Sequence, residues 1–285
     1  MRWLLVAVGL MAPISGAAAQ EFELPTLRGS QAFAPNAPDC CTSWGGFYVG
    51  GQVGFGVTSA DFSTTTQDLV AHELRQLALE AEQSVSSWQV LGQAHPSSAT
   101  YGFFVGYNIP WESLILGAEA NYNRTNFLAT APISPLFINT SAGGHTYNVN
   151  LTGSASMRVT DILTLRGRAG YEMGNFLPFA TLGVAVGRAD LARSATLTGQ
   201  QDPTAPPDPL ACDPVAAPPC VPLSFSEADR RSGAFIYGWA IGGGLEVMVM
   251  PHVFLRGEYE AVVFSPIWNI TAIVQTARLG AGVKF

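Results

Sequence analysis

The stretch Trp44-Gly45-Gly46-Phe47-Tyr48-Val49-Gly50-Gly51-Gln52-Val53-Gly54-Phe55 decides the fold. Phe47, Val49, Val53 and Phe55 fall on one parity, and Tyr48, Gly50, Gln52 and Gly54 on the other. Side chains of a β-strand alternate between two faces, whereas those of a helix return every 3.6 residues. A two-residue period carrying this much glycine is strand material and poor helix material.

Moving outward, the same period returns seven times. Residues 99–107 set Tyr101, Phe103, Val105 and Tyr107 on one face, and residues 114–123 do so with Leu114, Leu116, Ala118, Ala120 and Tyr122. Residues 162–173 follow with Leu163, Leu165, Ala169 and Tyr171, and then come 176–187, 235–249, 252–264 and 273–285. Each run is near the ~9–11 residues of a tilted transmembrane strand, or somewhat longer. Residues 233–250 carry a single charge, Glu246, so a transmembrane helix is a rival there. Phe235, Tyr237, Trp239, Ile241, Leu245 and Val247 nevertheless alternate with Gly238, Ala240, Gly242 and Gly244, which favours a strand.

Short links near 108–110, 174–175 and 250–251 alternate with long ones over 57–98, 124–161 and 188–234, and a shorter one near 265–272. Tight turns on one side and long loops on the other, with an even strand count, describe an outer-membrane barrel. The expected fold is therefore all-β: an eight-stranded antiparallel up-and-down transmembrane β-barrel with long outer loops. Leu69, Leu74, Leu77 and Ala81 within 67–84 predict a short helix in the first of those loops. Tyr147, Val149, Leu151, Ala155 and Met157 predict an extension of the fourth strand away from the membrane, and the Pro-rich residues 201–222 an irregular loop.

Composition points the same way. Charged residues are 12% of the chain, about half of the ~25% usual in soluble domains. The net charge of −7 offers no basic cluster for phosphates, so nucleic acid is not an expected partner. Arg2, the apolar run Trp3–Met11 and Ser15-Gly16-Ala17-Ala18-Ala19 have the layout of a cleaved export signal. The expected division is 1–19 signal peptide, 20–43 periplasmic linker and 44–285 barrel.

The two faces differ sharply. Glu119, Arg166, Arg168, Glu172, Glu246, Arg256, Glu258, Glu260, Arg278 and Lys284 all lie opposite the apolar parity, five acids and five bases. A soluble sandwich would turn these charges to water. Aromatics at both ends of the apolar face favour a lipid-facing wall: Tyr107, Trp111, Tyr171, Phe176 and Phe285 at one, Phe55, Tyr101, Tyr122, Tyr237 and Tyr259 at the other. An eight-stranded barrel has room inside only for side chains, and buried charges are costly unless paired. The ten residues are expected to form a plug, with Arg166 and Arg168 pairing with Glu119, Glu246 and Glu258.

Five motifs occur in order: Trp44-Gly-Gly-Phe-Tyr-Val-Gly-Gly51, Arg166-Gly-Arg-Ala-Gly-Tyr171, Leu177-Pro-Phe-Ala-Thr-Leu-Gly-Val-Ala185, Gly238-Trp-Ala-Ile-Gly-Gly-Gly-Leu-Glu246 and Leu279-Gly-Ala-Gly-Val-Lys-Phe285. From Trp44 to Phe285, loops excepted, the chain resembles the alphaproteobacterial outer-membrane immunogenic proteins, small porin-like barrels of the Omp25/Omp31 type. The resemblance implies a surface antigen that supports outer-membrane integrity. It also implies that the barrel-assembly machinery reads the terminal Phe285. The remaining expected partners are outer-membrane lipid and lipopolysaccharide, with both termini in the periplasm and the long loops outside the cell. The long first and third loops and the four cysteines depart from the family.

A narrow channel and a rim enzyme acting on lipid A or peptides are the rivals. His72, His95 and His145 lie in outer loops and His252 at a tight turn, with Ser97, Ser98 and Asp161 near the rim. No spacing fixes a nucleophile, base and orienting acid, so no catalytic, cofactor or metal site is expected. Cys40 and Cys41 precede the first strand, while Cys212 and Cys220 share an outer loop. The ~25 Å apolar band separates the two pairs far beyond the reach of a disulfide, which predicts a Cys212–Cys220 bridge.

Overall fold

A computed structural model describes residues 43–202 and 220–285. In chain order the strands are β1 (Gly46–Asp61), β2 (Gln93–Ala94), β3 (Ser97–Trp111), β4 (Leu114–Thr130), β5 (Leu136–Ala142), β6 (His145–Tyr171), β7 (Phe176–Gln201), β8 (Val221–Met250), β9 (Val253–Ile267) and β10 (Ile270–Lys284). Eight of them close an antiparallel ring in the order β1-β3-β4-β6-β7-β8-β9-β10. β10 returns to β1 in continuous register from Tyr48 opposite Lys284 to Asp61 opposite Thr271. The other two are accessory: β2 pairs with the end of β1, and β5 folds back on β6 through Gly143 and Gly144. Both glycines have positive φ, as a type I′ hairpin requires. No helix among the described residues is long and apolar enough to cross a membrane, and residues 233–250 are strand.

The outward wall is apolar over a defined height. On β8, Phe235, Tyr237, Trp239 and Ile241 are each about 60% exposed. Among the described residues no element covers them, and contiguous bare apolar surface on this scale marks a lipid or partner contact. Residues 176–186 of β7, at ~3.3 Å per residue and a tilt of ~40°, rise roughly 25 Å, the height of an outer-membrane apolar band.

Above that band the polarity of the wall inverts. Outward positions become Arg188, Asp190, Ser194, Thr196 and Thr198 on β7, while inward ones become Ala189, Leu191, Ala195 and Leu197. The inward apolar side chains pack with Tyr147, Val149, Leu151 and Met157 of β6, and with α1 (Gln67–Leu74) and α2 (Ala78–Gln83), into a core that caps the barrel. β-Bulges mark the changeover, at Val159/Asp161 in β6 and near Gly233 in β8. A strand that gains one residue swaps its faces beyond that point. Tyr147 to Met157 therefore keep the parity of Leu163 and Leu165 yet point inward.

Three expectations need correction. The extension expected from Tyr147 to Met157 is part of β6, but the rest of the link at 124–144 and the link at 188–234 are also largely strand, because their alternating residues have a cap to pack against. The single helix expected over 67–84 is two, α1 and α2, with a break at 75–77. The Pro-rich stretch falls mostly outside the described residues, but Val221 and Pro222 already belong to β8.

Candidate functional site

The lumen is built in layers. Nearest the tight turns, Trp44, Tyr48, Phe104, Ile115, Leu177, Met248 and Phe254 form a buried apolar cluster. Trp44 anchors it: its indole Nε1 donates to the Gly174 carbonyl at 3.0 Å, and its own carbonyl accepts from Asn108 Nδ2 at 3.0 Å.

Above this lies the charge layer. Arg166 donates to Glu119, Glu258 and Glu260. Arg168 grips Glu246 bidentately, at 2.7 and 3.1 Å, and donates to the Tyr48 hydroxyl at 3.0 Å. Arg256 bridges Glu119 at 2.7 Å and Glu246 at 2.8 Å, and Arg278 lies 3.1 Å from both Glu258 and Glu260. The Tyr48 hydroxyl donates to Glu119 at 2.7 Å. Four arginines and four glutamates, all with side chains no more than 2% exposed, thus form one network of zero formal charge. Flat guanidinium forks suit such shared carboxylates, and they also stack on rings: Arg256 lies 3.9 Å over Phe104 and Arg168 4.4 Å over Phe179.

Two of the ten inward charges stand apart. Glu172 and Lys284 are half-buried at the tight-turn mouth, and Lys284 donates to the Ser43 carbonyl rather than joining the network. Strand parity places them on the lumen side, but their strands end there, where water reaches them.

Side chains that charge alone did not flag complete the site. Gln52 Nε2 donates to Asn121 at 2.9 Å and to Asn123 at 2.6 Å, an amide layer directly above the charges. Tyr48, Gln52, Asn121 and Asn123 share the inward parity, which is the signal that finds them. Higher still, Arg193 donates to Asp68 of α1 at 2.7 and 2.8 Å, to Asp229 of β8 at 2.8 Å and to the Thr65 carbonyl at 2.9 Å. Burial opposes the Arg193 charge, but the bonds to Asp68 and Asp229 outweigh it and hold the group above its usual range. This clamp lies in what the sequence presents as loop.

The remaining named residues are placed as follows. The Phe285 amide donates to the Phe47 carbonyl at 2.8 Å, and its ring lies 6.0 Å from that of Phe47 on the outer wall. Cys220 is disulfide-bonded, while Cys40, Cys41 and Cys212 lie outside the described residues. His145 Nδ1 lies 2.9 Å from the Asp202 carbonyl. His72 lies 3.6 Å from Glu73 and from Glu227, and these three side chains could together reach a metal ion from the cap surface.

Among solved structures, the fold is similar to Neisserial surface protein A, at 12% identity and a TM-score of 0.35, covering 84% of this chain and 97% of that one. It is also similar to Ail, the attachment invasion locus protein of Yersinia pestis, at 12% identity and 0.32, covering 84% and 99%. No curated protein matches the sequence. The sequence itself matches the outer membrane protein beta-barrel domain over residues 24–285, which spans the ring, the layered lumen and the cap. The chain belongs to that family of outer-membrane β-barrel proteins.

Proposed function

We propose that this chain is a structural, surface-exposed barrel of the small porin-like Omp25/Omp31 type, which supports the envelope and conducts no ions. The observation that carries the reading is the neutral network of eight buried charges across the lumen, closed by an apolar cluster on one side and by the cap on the other. A conducting pore needs a continuous wet path, and a layer of paired charges with an apolar cluster below it and an amide layer and apolar-cored cap above it works against one. Residues 1–19 serve as a cleaved export signal and 20–43 as a periplasmic linker. The tight turns and both termini face the periplasm, and the strand extensions with their cap stand outside the cell. Lipid and lipopolysaccharide surround the wall, and the assembly machinery reads Phe285. The bridge on Cys220 goes to Cys212 in the same outer loop.

The test is conductance of the refolded full chain in planar bilayers, beside an Arg166→Ala, Arg168→Ala variant. The wild type is expected to show no steady current. A large, stable open-channel current from the wild type would overturn the reading in favour of a narrow channel.

A further inference from the structure

The outer wall changes character within one row of the sheet. Tyr122, Leu163 and Val186 are cross-strand neighbours on β4, β6 and β7 and form the last apolar row. The next row is Arg124, Asp161 and Arg188, followed by Arg158 beside Asp190 and, on β8, Arg230. Four arginines against two aspartates give this belt a net charge of +2 on a chain whose total is −7. Both carboxylates are already occupied by neutral donors. Asp161 accepts from the Tyr122 hydroxyl at 2.6 Å and the Thr160 hydroxyl at 2.7 Å, and Asp190 from the Gly233 amide at 2.8 Å. Arg124 comes no nearer than 3.8 Å to Asp161, and among the described residues Arg158, Arg188 and Arg230 have no ion pair within 4.0 Å.

Just below this belt the wall is indented. A shallow, open groove of ≈740 Å³ is lined by Gly51, Phe103, Tyr122, Leu279 and Ala281 and reaches Tyr101 and Arg124. A second hollow of ≈320 Å³ shares Tyr101 and Arg124 and continues to Arg158. An apolar trough inside the membrane band thus opens into a hollow at the band's edge that is lined by the Arg124 and Arg158 guanidiniums together with the Asp190 carboxylate, which the Gly233 amide already engages. That pairing matches a lipid whose acyl chain lies along the wall and whose head carries phosphate, which arginine binds through paired hydrogen bonds.

We propose that this face binds a phosphorylated acylated glycolipid, the lipid A part of outer-leaflet lipopolysaccharide. Arg124, Arg158 and Arg188 take its phosphates, and an acyl chain lies over Gly51. The outer-leaflet assignment rests on the orientation given above, with the strand extensions outside the cell.

A Cβ at Gly51 would meet only the Gly102 carbonyl oxygen, at 3.9 Å, so Gly51→Leu projects a side chain into the groove without a backbone clash at its Cβ. The experiment is native mass spectrometry of the refolded full chain in nonionic detergent. It is titrated with bisphosphorylated lipid A, its dephosphorylated form, or phosphatidylglycerol, and unboiled gel mobility reports folding of each variant. Bisphosphorylated lipid A is expected to bind about tenfold tighter than the other two. R124Q/R158Q/R188Q should lose that preference, and G51L should weaken lipid A binding while keeping it. A folded triple variant that binds like wild type, an unaffected G51L, or equal binding of dephosphorylated lipid overturns the site. Equal binding of phosphatidylglycerol overturns the choice of lipid A. Orientation is tested separately, by labelling Ser224→Cys on intact cells with an impermeant thiol reagent against the wild-type background. Absence of added label overturns the outer-leaflet assignment, whatever the detergent titration gives.

Discussion

Arg166 shows how a charge survives in the centre of a dry lumen. Three glutamates surround it, and its side chain is wholly buried; each of the three is shared with a second arginine, so the set as a whole, and no single pair, balances its charge. Truncating one member of such a set leaves an uncompensated buried charge, whereas removing charge on both sides restores neutrality. Arg166→Ala is accordingly expected to destabilise the barrel by roughly 3–5 kcal/mol in urea unfolding from lipid vesicles. Adding Glu260→Gln to that variant should recover part of the loss. A double variant less stable than the single would show that charge balance is not what the network supplies. Tyr48 is the neutral hinge of the same set, since its hydroxyl donates to Glu119 and accepts from Arg168. Tyr48→Phe removes one buried partner from each, at an expected cost of about 1–3 kcal/mol in the same assay.

Single strands here serve two environments. β6 and β8 carry an extra residue at the edge of the membrane band, and β7 between them does not. The bulges let apolar side chains face lipid below and the cap core above, with no break in the strand. Gly233, at the β8 bulge, has φ +65°, and its amide satisfies Asp190. A side chain at that φ costs about 1–2 kcal/mol, and a Cβ would also stand 3.2 Å from Arg188 Nη2. Gly233→Ala is therefore expected to lower stability by about that amount, while Gly167→Ala, on the outward wall of β6 where a Cβ would come no nearer than 3.8 Å to the Leu182 carbonyl oxygen, has a much smaller effect. Equal losses from the two would mean that the bulge conformation carries no special demand.

At the scale of the molecule, Arg193 is the polar tie that joins α1 to the strands through the largest number of bonds among the described residues. Arg193 joins α1, β7 and β8 at one point and also lies 4.8 Å over the Trp268 ring from the β9–β10 turn. Local opening free energies are lowest where a segment has few anchors. Arg193→Ala should therefore raise the rate of proteolytic cleavage between residues 62 and 92 several-fold. Barrel unfolding in urea, governed by the ring and the lumen network, should shift little. Unchanged cleavage would show that apolar packing alone holds the helices.

The two-residue period of Trp44 to Phe55 and its repeats determined strands, their number in the ring and the division of each into an apolar and a polar face. That much is legible because strand parity is a local property of the backbone. Parity is symmetric, however, and does not say which face is enclosed. Closure of β1 on β10 decides that, through partners more than 200 residues apart in sequence. The pairing of Arg166 with Glu258 and Glu260, and of Arg256 with Glu119, likewise depends on which strands meet across the lumen. The inward turn of Tyr147, Val149 and Leu151 was hidden for a related reason. A bulge is defined by two strands falling out of step, and one strand's sequence carries no record of its partner's register.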